Sequence, residues 1–394
     1  MNRENMKVLF MASDNFRGSG AFISMTVLNT LLRDKYGVQT KIIIPARDIG
    51  DGIDLLKENN IQYKKIRSFN WCQEVGKKRN FAYWIKTCIK YFVNRTAVFR
   101  ICRYIKKEKI DIVHINTSYS YVGAIAAKKM HVKLVWHLRE FLEEDQKMEI
   151  QNKKKGYELI NRADRIIAIS ESIRNKYRNV FDAERIVVVY NGIAVKKFYD
   201  AGRSLFSTQP VIGLCVGRVT EKKNQFEVVK ALAGLEHVEL ELWLVGNADA
   251  DEKEKIEEYV KQHNLQSKVK FLGPKNNVED YYKKSDLYFM TSSAEAFGRV
   301  TVEAMLAGCL VIGADCGATK ELIEHGVTGF LYENDNVNEL SSVVANAMEN
   351  KEKMKQIAQK GQDTAKSCFS AERNAENVYK LYCEVLNQSE DDNE

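Results

Sequence analysis

The sequence predicts an α/β protein made of two Rossmann-like domains, each a doubly wound parallel sheet covered by helices. Three observations predict this class. The chain has 394 residues, which is too long for one compact core and suits two domains. Short apolar segments rich in Val, Ile and Leu alternate with helical segments, as in βαβ units. This alternation begins a second time near Val211, after the polar stretch 196–210.

The predicted strands are nearly continuous in hydrophobicity, which is typical of parallel strands covered on both faces. In the first half they cover 7–12, 41–45, 110–116, 132–138, 165–170 and 185–190. In the second half they cover 211–217, 240–246, 269–273, 287–291 and 309–314. Three helices follow, over 336–349, 351–367 and 371–387, and then an acidic tail. We therefore expect two domains, over 1–200 and 201–370, followed by a helix and tail over 371–394.

Composition narrows the setting of the protein. No run of about 18 apolar residues is present that could span a bilayer. The polar residues 1–7 lead directly into the first strand, which argues against a secretory signal peptide. The eight cysteines occur singly, without a close CxxC pair, so we expect neither a disulfide framework nor a structural zinc. We therefore expect a cytoplasmic protein.

The positive charge is concentrated in the segment from Lys64 to Lys109. This segment has fourteen Lys or Arg residues and only two acids, in a chain with a formal net charge of +7. Aromatic side chains, including Trp71, Trp84 and Phe92, lie between the charges. The combination favours an anionic membrane surface over nucleic acid, because no nucleic-acid-binding motif accompanies it. An amphipathic helix that covers the sheet and exposes a basic face would have the same pattern.

The loops that follow strands are the expected ligand sites, because open α/β sheets bind ligands at the carboxyl ends of their strands. In the first domain, the loop 13–23 contains Gly18 and Gly20. Glycine allows a phosphate to approach the backbone, and the following helix start favours anions. A structural tight turn would explain the same residues equally well.

In the second domain, Arg218 follows the first strand and Lys223 lies five residues later. An Arg and a Lys on one strand-to-helix loop can converge on a diphosphate, the Arg as a planar fork and the Lys as a point charge. Surface cations are common, so an ordinary exposed pair is the alternative, but the position at the carboxyl end of a strand favours a binding role.

The sharpest pattern is the segment 292–304, which follows a predicted strand and opens a helix. It predicts Glu295 in the loop before the helix and Glu303 about two turns inside it, with free backbone amides at 297–300 between them. Two carboxylates can accept hydrogen bonds from sugar hydroxyls, while a helix start favours phosphate. The alternative is that both glutamates are ordinary charges on a helix surface.

These residues together resemble a family 4 glycosyltransferase of the GT-B fold, over nearly the whole chain. The most specific element is the Glu295, seven-residue, Glu303 pattern. Supporting motifs occur in the family's order: 19–21, 111–114, His137, 170–172, 191–193, Arg218 with Lys223, 271–273, Gly317 with Glu321, and 329–331. The resemblance implies an N-terminal acceptor-binding domain over 1–200 and a nucleotide-sugar-binding domain over 201–370, which face a cleft. It also implies that the helix and tail over 371–394 cross back and pack on the first domain.

The resemblance also implies retaining sugar transfer from a nucleotide-sugar, without a metal or other cofactor. UDP is the expected nucleotide because UDP donors are prevalent. The implied catalytic residues are Arg218, Lys223, Glu295 and His137. Arg218 and Lys223 would neutralise the leaving diphosphate, and His137 would lie near the sugar and the acceptor.

The remaining implied contacts are with the donor. Gly20 would contact the diphosphate and Glu303 the ribose. Glu295 would hold the sugar together with the amides of Phe297 and Gly298. The chain departs from the family pattern at Ser19, Asn116 and Ala248, and His114 is expected to be structural rather than catalytic.

Within this family the expected setting is bacterial cell-surface polysaccharide synthesis, with a lipid-linked saccharide as acceptor and possible contact with the inner face of the membrane. Two other classes fit the same fold. A nucleotide-sugar epimerase would use the cleft without transferring the sugar. A non-catalytic GT-B partner subunit would bind another protein, but such chains usually lose the cations or the glutamates that this chain keeps.

Overall fold

The computed structural model describes residues 6–46, 50–235 and 237–391, with side chains described to residue 387. The chain forms two compact units: an N-terminal unit of Met1–Gly192 with Ala371–Glu394, and a C-terminal unit of Ile193–Ser370. The C-terminal unit begins at Ile193, before the predicted domain boundary at 200. Ile193 already pairs with Ser370, the last residue of the same unit. The end of the predicted acidic tail, 392–394, and most of the polar N-terminus, 1–5, lie outside the described residues.

The N-terminal unit is built on a parallel sheet. Its described strands are β1 (Lys7–Met11), β2 (Gln39–Pro45), β3 (Tyr63–Ile66), β5 (Ile112–Ile115), β6 (Lys133–Leu138), β8 (Arg165–Ala168) and β9 (Ile186–Val188), while β4 (Cys72–Glu74) and β7 (Met148–Ile150) form a separate antiparallel pair. The order in the parallel sheet is β3-β2-β1-β5-β6-β8-β9. The direction of winding therefore reverses between β1 and β5, which is where sheets of this kind bind ligands.

Helices cover this sheet. Those described are α1 (Gly20–Tyr36), α2 (Gly52–Glu58), α3 (Phe81–Glu108), α4 (Val122–Met130), α5 (Lys153–Ile160), α6 (Glu171–Tyr177) and α15 (Ala371–Asp391). The last helix packs on α1, where the rings of Tyr36 and Tyr379 stack at 4.4 Å. Val378 and Tyr382 of α15 belong to the same core as Phe10 of β1. The chain thus crosses back to the first domain, as predicted.

The C-terminal unit repeats the design. Its described strands are β10 (Val211–Val216), β11 (Leu240–Val245), β12 (Val269–Gly273), β13 (Leu287–Met290), β14 (Leu310–Ala314) and β15 (Phe330–Tyr332), in the order β12-β11-β10-β13-β14-β15. Its described helices are α7 (Val195–Phe198), α8 (Gln225–Ala233), α9 (Ala250–Gln262), α10 (Val278–Lys284), α11 (Arg299–Leu306), α12 (Thr319–Leu322), α13 (Val337–Glu349) and α14 (Lys351–Cys368). All paired strands are parallel, and the winding reverses between β10 and β13.

The predicted fold class is confirmed, and every predicted strand is present with ends shifted by at most a few residues. Strands β3, β4, β7 and β15 were not predicted. They are three or four residues long. Strand β3 also has two lysines between its apolar ends, so it lacks the continuous apolar run by which the other strands were identified. In the described part of the chain, no helix is both long enough and apolar enough to cross a membrane.

Candidate functional site

The loops after β10 and β13 meet at the switch point of the C-terminal sheet. The hydroxyl of Thr291 donates to the carbonyl of Lys223 at 2.6 Å, and the amide of Ser293 donates to the carbonyl of Lys222 at 3.4 Å. These bonds join the backbone that carries Lys223 to the loop that carries Glu295. Because both strands end at the same edge of the sheet, residues 72 positions apart become neighbours.

Lys223 and Glu295 form an ion pair at the centre of this site. The Lys223 Nζ lies 2.8 Å from Glu295 Oε2, and the amide of Gly298 donates to Glu295 Oε1 at 3.1 Å. The Glu295 side chain is 16% exposed and that of Lys223 36%. The carboxylate is therefore fixed by one cation and one backbone amide, and a ligand that contacts either group has to exchange with these bonds.

Two glycines shape the Glu295 loop. Gly298 has a φ of +90°, and a Cβ there would lie 3.1 Å from Leu322 Cδ1. At Gly317, a Cβ would lie 2.6 Å from the carbonyl oxygen of Glu295, while the amide of Ala318 donates to that oxygen at 2.8 Å. Side chains at these positions would distort the loop that aims the Glu295 carboxylate.

The structure corrects two details of the predicted segment. Helix α11 begins at Arg299, so Glu303 lies about one turn inside it rather than two. The Gly298 amide is used by Glu295, so the predicted amides at 297–300 are not all free. The side chain of Phe297 is 2% exposed and packs edge-on against Phe369, with ring centroids 5.9 Å apart.

Glu303 is held by a buried phenol. Tyr282, which is fully buried, donates its hydroxyl to Glu303 Oε2 at 3.1 Å, and Arg299 lies 3.4 Å from Oε1. Burial raises the pKa of Glu303 above its ordinary value, and burial together with the Glu303 charge raises the pKa of Tyr282 well above its usual range. The phenol therefore remains a hydrogen-bond donor, and it orients the Glu303 carboxyl group.

Arg218 is paired with a carboxylate that sequence reasoning did not single out. Its Nε donates to Asp249 Oδ1 at 2.7 Å, and the Arg218 side chain is 69% exposed. Asp249 follows β11 and precedes α9. Both cations that were predicted to bind a diphosphate are thus paired, Arg218 with Asp249 and Lys223 with Glu295. Arg218 and Lys223 therefore contact two different carboxylates.

The N-terminal unit has a comparable junction at its own switch point. Gly20 is the first residue of α1, and Ser19, one of the departures from the family pattern, caps the helix by accepting from the amide of Phe22 at 3.4 Å. Asn116, another departure, follows β5 and donates to the carbonyl of Ala21 at 3.1 Å. The helix start predicted as an anion site is therefore tied directly to the end of β5.

Two histidines lie beside this junction, on β5 and β6. His114 and His137 are both fully buried, with His114 Nε2 and His137 Nδ1 3.2 Å apart. His114 Nδ1 lies 2.6 Å from the hydroxyl of Tyr382, which comes from α15. Burial and the nearby charge of Arg139 lower the pKa of both rings well below the ordinary histidine value. Both histidines are therefore neutral at physiological pH.

A buried arginine organises the surroundings of His137. Arg139 donates to His137 Nδ1 at 3.1 Å, to the carbonyl and side-chain oxygens of Asn116 at 3.1 Å, and to the side chain of Asn191. The neighbouring Glu140 accepts from the amide of Ser118 at 2.6 Å. Burial raises the pKa of Glu140 to about 7.

Sequence reasoning missed Asp249, Tyr282, Arg139 and Tyr382 as members of these sites. Arg139 and Asp249 lie close after strand ends, which is the signal that could have found them. Tyr282 and Tyr382 lie on helices and have no such signal. Among the described residues, no group of three or more His, Cys, Asp or Glu side chains is arranged to hold a metal ion.

Two family models match the chain, one in each half. The model described as Glycosyltransferase Family 4 matches residues 70–197, and the model described as Glycosyl transferases group 1 matches residues 199–364. The second match contains all the site residues of the C-terminal unit. The first contains His114, His137 and Arg139.

Individual relatives agree with the family models. An uncharacterized glycosyltransferase of Methanocaldococcus jannaschii is 28% identical over 306 residues, which is 75% of this chain and 81% of the relative. The N-acetyl-alpha-D-glucosaminyl L-malate synthase of Bacillus anthracis is 27% identical over 58% of this chain and 61% of that protein. The crystal structure of Anabaena HepE in complex with UDP and glucose has a TM-score of 0.77 and 25% identity, and covers 96% of this chain and 99% of HepE. The HepE complex with UDP has a TM-score of 0.80 at 24% identity.

Proposed function

This chain belongs to the family 4 (group 1) glycosyltransferases and has the GT-B fold. We propose that it transfers a sugar from a UDP-sugar to a saccharide acceptor, with retention of the anomeric configuration. The observation that carries the proposal is the arrangement at the β10–β13 switch point. There Lys223, Glu295 and the Gly298 amide converge, with Glu303 further along α11. The solved HepE complexes, which hold UDP and glucose, favour UDP as the nucleotide.

In the reaction, the bond between the sugar C1 and the diphosphate oxygen breaks as the acceptor hydroxyl forms a new bond to C1. Negative charge grows on the diphosphate, and positive charge grows on the sugar ring. Lys223 and Arg218 stabilise the departing diphosphate, and the proton of the acceptor passes to it on the same face of the sugar. Glu295 binds sugar hydroxyls and Glu303 binds the ribose.

The donor would bind by replacing the carboxylate partners of the two ion pairs. Phosphate oxygens compete with Asp249 for Arg218 and with Glu295 for Lys223, and a released Glu295 is then available to sugar hydroxyls. Two cations at the leaving group supply the charge that a divalent metal supplies elsewhere. Independence of metal is therefore part of the proposal.

Donor binding and turnover test the proposal directly. Purified protein is titrated with UDP-, GDP- and ADP-sugars in EDTA, beside Glu303→Gln and the matched control Glu258→Gln, an exposed residue of α9. We expect binding of one UDP-sugar that Glu303→Gln weakens at least tenfold and Glu258→Gln leaves unchanged. The anomeric configuration of the product is read by NMR. Failure of the folded wild-type protein to bind any donor would favour the non-catalytic partner, and an isomerised sugar nucleotide formed without acceptor would favour the epimerase.

The acceptor that we propose is a lipid-linked saccharide, reached from the inner face of the membrane. Helix α3 supports this, because its N-terminal half exposes large apolar side chains that the fold does not cover: Phe81 (81% exposed), Trp84 (54%), Ile85, Ile89 and Phe92 (64%). They recur at intervals of three and four residues and so share one face. The C-terminal half instead buries Ala97, Ile101 and Ile105 against the rest of its unit.

Cations accompany this apolar face. Lys77, Lys78, Lys86, Arg95 and Arg100 lie exposed on the same helix or just before it, in the basic segment 64–109. Apolar side chains that enter the lipid interface beside cations that meet lipid phosphates are the arrangement of an interfacial helix. The occupant that fits is an anionic bilayer surface.

Liposome flotation tests the membrane contact. We expect the protein to float with vesicles that contain phosphatidylglycerol and to float much less with phosphatidylcholine alone. Trp84→Ser combined with Phe92→Ser should abolish flotation. The control Val180→Ser, at an exposed apolar residue of the same unit outside α3, should not. Equal absence of flotation with both vesicle types would exclude the membrane surface while leaving sugar transfer intact.

A further inference from the structure

Four side chains of the N-terminal unit form a continuous buried chain of hydrogen bonds. The Tyr382 hydroxyl lies 2.6 Å from His114 Nδ1, His114 Nε2 lies 3.2 Å from His137 Nδ1, and Arg139 lies 3.1 Å from the same His137 atom. Tyr382, His114 and His137 are each fully buried. Sequence reasoning assigned His114 to structure and gave no role to Tyr382.

The donor and acceptor of every hydrogen bond in this series follow from the presence of Arg139. A guanidinium can only donate, so His137 Nδ1 accepts, and the proton of the neutral ring is on Nε2. His114 Nε2 faces the same accepting nitrogen and must donate to it. His114 Nδ1 then accepts, and the Tyr382 hydroxyl donates. Each nitrogen within the chain has one consistent role.

One atom at the end of the chain has no partner. His137 Nε2 is buried and makes no hydrogen bond in the part of the protein that the structure describes. A buried N–H without an acceptor is unfavourable, and a ligand oxygen would relieve it. His137 is the fifth of the six residues of β6, at the carboxyl end of the strand, where a sheet of this topology receives its ligand.

We infer that His114 and Tyr382 are positioning residues that, together with Arg139, hold His137 with its proton on Nε2, so that this N–H donates to an oxygen of the bound saccharide substrate. The inference rests on the proposed function for the identity of the substrate. It gives the last helix a part in the site: α15 supplies the hydroxyl that begins the chain. The neutral N–H keeps its direction at physiological pH, whereas a solvent-exposed imidazole would exchange its proton between the two nitrogens.

Ring ¹⁵N NMR of histidine-labelled full-length protein tests the proton positions without any substrate. The resonances are assigned with His114→Gln and His137→Gln. We expect His137 and His114 each to show a protonated Nε2 and an unprotonated Nδ1 at neutral pH. A protonated Nδ1 on His137, or an imidazolium, would overturn the inference, even if the protein proved to be a glycosyltransferase.

A double-mutant cycle tests whether Tyr382 acts through His137. Tyr382→Phe should lower kcat/KM for the donor about three- to tenfold in the wild-type background, which is the effect of one neutral hydrogen bond, and by less than twofold in the His137→Ala background. Tyr36→Phe, on the α1 face that packs against α15, is the matched control and should have no effect. An equal loss in both backgrounds, or no loss in either, would overturn the inference. If the wild-type protein turned over no nucleotide-sugar, the proposed function would fail while the NMR result still decided the proton positions.

Discussion

The two switch points of this protein differ in electrostatics. In the C-terminal unit, Lys223 and Glu295 are a charged pair that solvent partly reaches. In the N-terminal unit, His114 and His137 are neutral and fully buried. Phosphate brings its own charge and can displace a carboxylate from a lysine, whereas a neutral N–H held by buried partners keeps a fixed direction. On the proposed function, the C-terminal site would exchange partners when the donor binds, while the N-terminal site would already be ordered.

The largest expected effect comes from breaking the charged site. Lys223→Gln should lower kcat/KM for the nucleotide-sugar by about a hundred- to a thousandfold, because on the proposed mechanism the departing diphosphate loses one of its two cations. Steady-state kinetics measures this loss. The neighbouring Lys222→Gln is the control, since only its carbonyl takes part in the loop contact. If Lys222→Gln caused the same loss, general positive charge rather than the Lys223 position would be responsible.

A pH experiment tests the buried charge of the N-terminal unit. Among the described residues of this unit, Glu140 is the one carboxyl group whose pKa is raised to about 7. Since the folded state holds this proton more tightly than the unfolded state, folding stability should fall as pH rises from about 4.5 to about 7. The fall is of order 3 kcal/mol at most. In Glu140→Gln this part of the pH dependence should disappear, while the exposed control Glu158→Gln should keep it. Thermal unfolding at a series of pH values measures the difference, and parallel curves for wild type and Glu140→Gln would contradict it.

Removal of the Tyr282 hydroxyl tests whether this hydrogen bond orients Glu303. Tyr282→Phe leaves the ring in place but removes the donor at 3.1 Å from Glu303. We expect nucleotide affinity to fall about three- to tenfold, as for a buried hydrogen bond to a carboxyl group. Isothermal titration with UDP measures it beside the control Tyr259→Phe on α9. Unchanged affinity for UDP would show that Glu303 is oriented without Tyr282.

The smallest expected effect is a gain. Asp249→Asn removes the carboxylate that pairs with Arg218 on the surface. Exposed pairs contribute little, so we expect donor affinity to rise only about two- to fivefold, and the gain should shrink as salt is added. Titrations at low and high salt measure both. A loss of affinity would mean that Asp249 positions Arg218 for the diphosphate rather than competing with it.

Much of the fold could be predicted because its determinants are local. The buried strands are runs of Val, Ile and Leu, and the helices between them have a different period, so βαβ units can be read directly. The short strands β3 and β15 were not predicted, because a segment of three or four residues is too short to show a periodic pattern. The bounds of α11 shifted because the left-handed Gly298 delays the first helical residue to Arg299.

The sequence by itself determined the fold class and the family, and it pointed to Arg218, Lys223, Glu295 and Glu303 as site candidates, because these features depend on motif spacing along the chain. Only the tertiary structure decided the partners of these groups. Lys223 pairs with Glu295 across 72 residues, and Tyr382 reaches His114 across 268. Such contacts depend on strand order and on the return of α15 to the first domain, and neither leaves a periodic signal in the residues that make the contact.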